Sequence, residues 1–430
     1  MSEAPSEAEA KDEAVQLPLL QYPRAEVYLV ESAGELAEAV HTLSLATGPF
    51  AVDAERASGF KYSQRAYLIQ VFRQGSPIYL IDPAALAPEV SKEPFGDLAT
   101  LMATAPWILH AASQDIPCLR EIGLEAPELF DTELGSRIAG LPRVGLGPVT
   151  ENLLSVRLAK EHSAVDWSIR PLEESWLHYA ALDVDVLFEL WGALEARLIE
   201  SNKLDWAKQE FAAVLSSTPK AAKPEKWRGL TGLHDVKDAR KLSVAKALWQ
   251  AREDLAVKLD VSPGRLIPDS SIVTVAQAMP KSRPELAGNR GFVGRASRSY
   301  LDHWWAAVQL GAEARELPPL RAPAIGIPNH RIWPTRFPEA DRRLKIIRPL
   351  IAAVAEEHEI PLENLLTPDF LRQVCFEPPQ PDPESVAAAL SGLGARSWQI
   401  NLASGVIAEG LRLATEQVDI ESSSEESKGD

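Results

Sequence analysis

Apolar residues fall into two regimes along the chain. Between residues 25 and 110 they form short runs: Ala25–Val30, Phe50–Glu55, Tyr67–Phe72, Ile78–Ile81 and Trp107–His110. Runs of this length, rich in Val, Ile, Tyr and Phe and bounded by turn-formers, predict strands. Gln74-Gly-Ser-Pro, between the third and fourth, is a hairpin signal. Helical spacing lies between them over Ala33–Leu45 and residues 96–104. Helical periodicity then takes over: 116–122, 131–140, 148–160 and one long helix from about 173 to 200. Strands first, then strand mixed with helix, fit a mixed sheet with flanking helices.

The stretch Ser216–Lys226, with two prolines among Ser, Ala and Lys, marks the clearest domain boundary. Residues 227–312 then read as wholly helical. Leu242–Leu259 is amphipathic, Ile267-Pro268-Asp269 offers a cap before Ile272–Met279, and Gly291–Gly294 turns the chain into Ala296–Leu310. A connection at 313–338, Pro-rich from Leu317, sets off a third, helical unit at 339–415. The expected organisation is therefore an α/β domain at 16–215 followed by two all-α domains. Residues 1–15 and 416–430 are Ser/Glu-rich acidic ends, expected to be disordered.

Charge sharpens this picture. The net charge of −17 hides a basic module, since residues 219–300 hold sixteen Lys plus Arg against eight Asp plus Glu. Such a module suits a phosphate backbone as partner. Cys118 and Cys375 are the only cysteines, which excludes a disulfide framework and suits a reducing cytosol. No secretory leader is visible, and no run reaches the roughly 18–20 apolar residues of a membrane helix. The expectation is a cytoplasmic, monomeric protein with no membrane partner.

Three acidic segments carry the candidate chemistry: VDAE at 52–55, HAASQD at 110–115 and HYAALD at 178–183. Asp53 and Glu55, two apart at a strand end, share a face. Tyr179 and Asp183, four apart on a helix, do the same. Asp115 falls between a strand and a helix. Four carboxylates brought together repel unless cations compensate. Two divalent metals would do so, and would clamp the oxygens of an in-line phosphoryl displacement.

The order Asp-x-Glu, Asp, Tyr-x-x-x-Asp resembles the three motifs of the DEDD exonucleases, in their tyrosine branch. Tyr62 with Leu68-Ile69-Gln70, and Asp166-Trp167 with Arg170-Pro171-Leu172, are similar to the flanks of those motifs in ribonuclease D. Residues 227–312 resemble an HRDC domain, the helical nucleic-acid-binding module that follows the nuclease there and in RecQ-type helicases. The resemblance implies a ribonuclease H-like catalytic fold and a 3′→5′ exoribonuclease. It would release nucleoside 5′-monophosphates from the 3′ ends of precursor tRNA or other stable RNA. The alternatives are a 3′→5′ DNA exonuclease acting on single strands, and a nucleic-acid-binding protein with a vestigial site.

The resemblance also assigns residues. Asp53, Glu55, Asp115 and Asp183 would hold two divalent cations, Mg²⁺ or Mn²⁺, which favour hard oxygen donors. Tyr179 would orient the attacking water, with His178 facing away and Asp185 solvated off the site. Arg56 stands where the family commonly has an apolar or aromatic residue, and is expected to trade base stacking for phosphate contact. His110 is expected to support the site or pack, and Asp131-Thr132 to start a helix. Gln70 and Trp167 would shape the groove, joining Arg56 and His110 as candidates for substrate contact. In the basic block, Trp227, Trp249, Trp304 and Trp305 read as core. Lys237, Arg240, Lys241, Arg295 and Arg298 read as contacts to the nucleic-acid backbone.

Overall fold

The computed structural model describes residues 17–87, 90–159, 165–218, 224–322 and 326–426. The acidic lead expected at 1–15 lies outside the described residues. Among the described residues eight strands are present: β1 (Leu19–Leu20), β2 (Val27–Val30), β3 (Phe50–Arg56), β4 (Ala66–Arg73), β5 (Ile78–Ile81), β6 (Trp107–Leu109), β7 (Leu129–Asp131) and β8 (Arg157–Leu158). Six form one mixed sheet in the order β2-β5-β4-β3-β6-β7. The meander β3-β4-β5 is antiparallel, while β2, β6 and β7 add in parallel. All eight residues of β4 are buried, as a central strand covered on both faces should be. The pairing of β3 with β4 slips between Glu55 and Arg56, where the strand leaves the sheet toward the site.

Local chemistry sets several of these elements. Ser32 and Glu35 close a capping box on the helix Ala33–Leu45. Asp82 caps the short helix Pro83–Leu86, with Pro at its first position. The long helix expected over 173–200 is two helices, Glu174–Asp185 and Leu187–Glu200. At the break, Arg24 Nη2 donates to the Asp185 carbonyl at 2.7 Å. Strands β1, β7 and β8, of two or three residues, were not anticipated, nor was the helix Leu204–Ser216.

Among the described residues, buried side chains gather into two cores. One spans the sheet and its helices and runs on without interruption through Trp333, Ile347, Ile351, Val374, Leu390, Trp398 and Ile407. The other is confined to the intervening segment and centres on Trp227, Leu248, Ile272, Phe292, Trp304 and Val308. Trp333, inside the Pro-rich connection expected at 313–338, is fully buried. The C-terminal helices are thus welded to the sheet-bearing part. At the seam, Trp206 stacks on Trp398 with ring centroids 5.0 Å apart. Buried Glu210 accepts from Arg396 Nε at 2.7 Å and Trp398 Nε1 at 2.9 Å. The final helix, Ser397–Glu426, continues past Glu416 into the stretch expected to be disordered. No helix among the described residues is long and apolar enough to cross a membrane.

Candidate active site

Strand β3 carries Asp53 and Glu55 to one end of the sheet, and the helix Glu174–Asp185 packs across β3, β4 and β5. That crossing brings Asp183 over the strand. Asp53, Glu55 and Asp183 each offer a carboxylate oxygen within 4.8 Å of the others. Tyr179, one turn before Asp183, shares a side-chain hydrogen bond with it. Asp115, at the start of the helix Ile116–Glu121, is buried and hydrogen-bonds Asp53. The Nε of Arg56 lies 3.8 Å from Asp115 Oδ1, and its Nη2 donates to Gln114 at 3.3 Å. These side chains, with Ser58, Gly59, Phe60 and His110, line a cleft of about 480 Å³.

The electrostatics are those of too many carboxylates in too little water. Burial pushes Asp53 up to about 6, against the Ala54 amide and the charge of Arg56. Asp115 is pushed up to about 9 by burial and by Asp53. Burial and the neighbouring acids hold Glu55 well above the usual carboxylate range, and burial with Asp53 does the same to Asp183. Tyr179 is likewise raised by burial and by Asp183, so its phenol keeps its proton. A clustered, half-buried set of carboxylate oxygens such as this fits a hard divalent cation.

Supporting residues fix the motifs in place. Asp131 caps the helix Thr132–Ile138 through the amides of Glu133 and Leu134, which bears out the helix start expected there. Its two oxygens also take the amides of Ala111 and Ala112, at 3.0 and 2.9 Å. One buried carboxylate thereby pins the turn that delivers Asp115, with Ala111 in the left-handed region at φ 61°. Arg170 donates to both oxygens of fully buried Asp82 and to the carbonyls of Tyr67 and Trp167. The segment that leads into Tyr179 is thus fastened to the end of β5. Arg170 stands in the motif flank, whereas the only local signal for Asp82 in the sequence is the Asp-Pro helix start.

Other expectations fare unevenly. His178 faces away from the carboxylates, set edge-on to Tyr22 with centroids 5.2 Å apart. Asp185 is not solvated: it is buried and accepts from Arg24 Nε at 2.8 Å. His110 lines the cleft, and its Nδ1 sits 2.8 Å from Thr132 Oγ1. That hydroxyl donates to the Leu109 carbonyl, so Nδ1 is the donor; burial lowers the imidazole to about 4 and keeps it neutral. Gln70 and Trp167 were candidates for substrate contact, but they are 0% and 1% exposed and can only build the groove from beneath. Gln70 pairs with Asp53 across the sheet, and both its amide atoms are buried without partners. Trp227 and Trp304 are core, while Trp249 and Trp305 pack against that core. Lys237, Arg295 and Arg298 are exposed, Lys241 is half-buried, and half-buried Arg240 donates to the Ala314 carbonyl.

Residues 28–199 match the family model of the 3′-5′ exonuclease, 241–308 that of the HRDC domain, and 326–411 that of the 3′ to 5′ exonuclease C-terminal domain. The chain is 30% identical to ribonuclease D of Granulibacter bethesdensis over 297 residues, covering 68% of this chain and 72% of that one. It is 28% identical to ribonuclease D of Gluconacetobacter diazotrophicus, covering 78% and 82%. A solved protein from Bifidobacterium adolescentis superposes with a TM-score of 0.83 at 33% identity, over 92% of this chain and all of that one. Escherichia coli RNase D shares the fold, with a TM-score of 0.65 at 23% identity over 90% and 99%. The chain belongs to the ribonuclease D family, and it is a metal-dependent 3′→5′ exoribonuclease.

Proposed function

We propose that the cleft removes nucleoside 5′-monophosphates one at a time from the 3′ ends of stable RNA such as precursor tRNA. The observation that carries this is the convergence of Asp53, Glu55 and Asp183 within 4.8 Å, beside a protonated Tyr179. These three carboxylates, with Asp115, would hold two divalent cations, Mg²⁺ or Mn²⁺. When bound, the cations supply charge neutralisation at the scissile phosphate and the leaving 3′ oxygen.

The chain's own residues do the rest. Tyr179 orients the attacking water through its hydroxyl; its raised pKa argues against a role as the base. Arg56, whose Nε lies 3.8 Å from Asp115 at the cleft wall, would offer its guanidinium to the substrate phosphate. His110 offers Nε2 as a neutral acceptor at the cleft wall. Lys237, Lys241, Arg295 and Arg298 on the helical module hold the RNA backbone, so binding should weaken with salt.

The test pairs 3′- and 5′-labelled RNA and DNA oligonucleotides with the protein and its Asp183→Asn variant, in Mg²⁺, Mn²⁺ or EDTA. Stepwise shortening of RNA from the 3′ end, lost with chelator and with the substitution, is the expected result. Equal or faster shortening of DNA would move the substrate class to DNA. RNA binding without digestion in either metal would refute the proposal.

A further inference from the structure

Tyr179 is a wall of two cavities, and the carboxylates lie in the first. The helix Glu174–Asp185 presents Tyr179 and Asp183 to that catalytic cleft. On the neighbouring face, Glu174, Ser175, His178 and Leu182 recur at the three- and four-residue spacing that aligns side chains along a helix. They line a second cavity of about 390 Å³ together with Gln21 and Tyr22. That volume falls within the roughly 300–1,000 Å³ of small-ligand sites.

The wall opposite the helix is fastened at both ends. It is the chain that leaves β1, which pairs in parallel with β8. Arg157 N donates to the Pro18 carbonyl at 2.9 Å, and Ala159 N to the Leu20 carbonyl at 3.1 Å. Beyond Tyr22, Arg24 donates from Nε to Asp185 at 2.8 Å and from Nη1 to Glu189 at 2.8 Å. Between these anchors the Tyr22 ring sits edge-on to His178 and is still 59% exposed. A large aromatic ring held in place yet left uncovered is a stacking platform.

The lining selects its ligand. Tyr22 and His178 offer ring surface and Leu182 an aliphatic one. Gln21 and Ser175 can donate and accept, and Glu174 accepts. Among the described lining residues there is no Lys or Arg, and the Glu174 carboxylate repels a phosphate placed beside it. What fits is flat, uncharged and polar along one edge, which describes a nucleobase on its ribose.

We propose that the second cavity receives one nucleoside unit of the RNA strand, its base stacked on Tyr22 and its polar edge bonded by Glu174, Ser175 and Gln21. The strand's 3′ end lies across Tyr179, in the cleft. This subsite grips a base and leaves the phosphates to the cleft, so it tightens binding without touching the reacting atoms. The inference rests on the exonuclease reading. A wild type that holds no RNA would overturn both, whereas RNA held equally well by wild type and Tyr22→Ala would overturn only this one.

The experiment uses the full chain in EDTA, so that bound RNA stays intact. Fluorescence anisotropy reads the affinity for a short 5′-labelled RNA, and for a series in which one base at a time, counted from the 3′ end, is replaced by an abasic ribose. Tyr22→Ala should weaken the intact RNA about tenfold, the scale of one base stacked on an aromatic ring. Tyr22→Phe, which keeps the ring, should stay within about twofold of wild type. One abasic position should weaken wild type by the same factor as Tyr22→Ala and cost that variant nothing more, the non-additivity of two changes at one contact. Glu174→Ala should couple to that same position. Tyr28→Ala, an exposed tyrosine that lines neither cavity, should leave every affinity unchanged. Penalties that simply add at every position would overturn the proposal. So would binding of free adenosine 5′-monophosphate that is lost in Tyr22→Ala with no coupled position in the RNA, since the cavity would then hold the released product.

Discussion

Removing the Asp53 carboxylate should make the protein more stable in chelator. Asp53 has an ordinary value of 3.8 and is pushed up to about 6, chiefly by burial. The folded state therefore binds a proton more tightly than the unfolded chain does. Its penalty for ionising Asp53 is absent below about pH 4, grows through about pH 6 and is complete above that. A rise of about two pH units corresponds to about 3 kcal/mol at 1.36 kcal/mol per unit. Asp53→Asn keeps the shape and removes the charge. At roughly 2–4 °C per kcal/mol for a domain of 150–250 residues, the variant should melt several degrees above wild type in EDTA at about pH 8. The gap should narrow at about pH 5, where part of the penalty is already relieved by protonation. Adding Mg²⁺ or Mn²⁺ should raise the wild-type melting temperature and move the variant's much less. Calorimetric scans across this grid decide the matter. A variant melting at or below wild type in chelator at the higher pH would refute the reasoning, because the carboxylates would then not be straining the empty site.

Three other outcomes are open to direct measurement. Tyr179→Phe keeps the ring and loses the hydroxyl, so kcat should fall by about 100-fold with the melting temperature nearly unchanged. Arg170→Lys keeps a charge but loses the fork that grips Asp82, and urea unfolding should show a loss of about 3 kcal/mol. Gly140→Ala adds a Cβ that would run into the Glu359 carbonyl, in a backbone already at φ 76°. It should cost about 2–3 kcal/mol of unfolding free energy and loosen the seam to the C-terminal helices.

The convergence of the acidic motifs was legible because each rests on a short-range period. Asp53 and Glu55 share a strand face, and Tyr179 and Asp183 share a helix face; both spacings survive in the fold unchanged. The helix Ala33–Leu45 and the strand Ile78–Ile81 were readable to the residue for the same reason. What escaped depends on partners far away in the chain. Asp185 looks like a solvated surface acid until Arg24, 161 residues earlier, closes on it. Gln70 alternates as a strand residue should, and nothing local says that its amide is sealed under the site. Strand β7, only three residues long, exists because β6 offers it an edge. The grip of Asp260 on Ser63 spans 197 residues and leaves no trace in either segment's composition.

The arrangement of the two cores also bears on how firmly that grip must hold. The first core is assembled from segments on both sides of the second, so the HRDC module is an insertion anchored at its two ends to one body. Its docking is an intramolecular event. Even a short flexible tether gives an effective concentration in the millimolar range, and two tethers restrict the search further. A handful of hydrogen bonds too weak to join separate molecules would therefore suffice to keep the module seated.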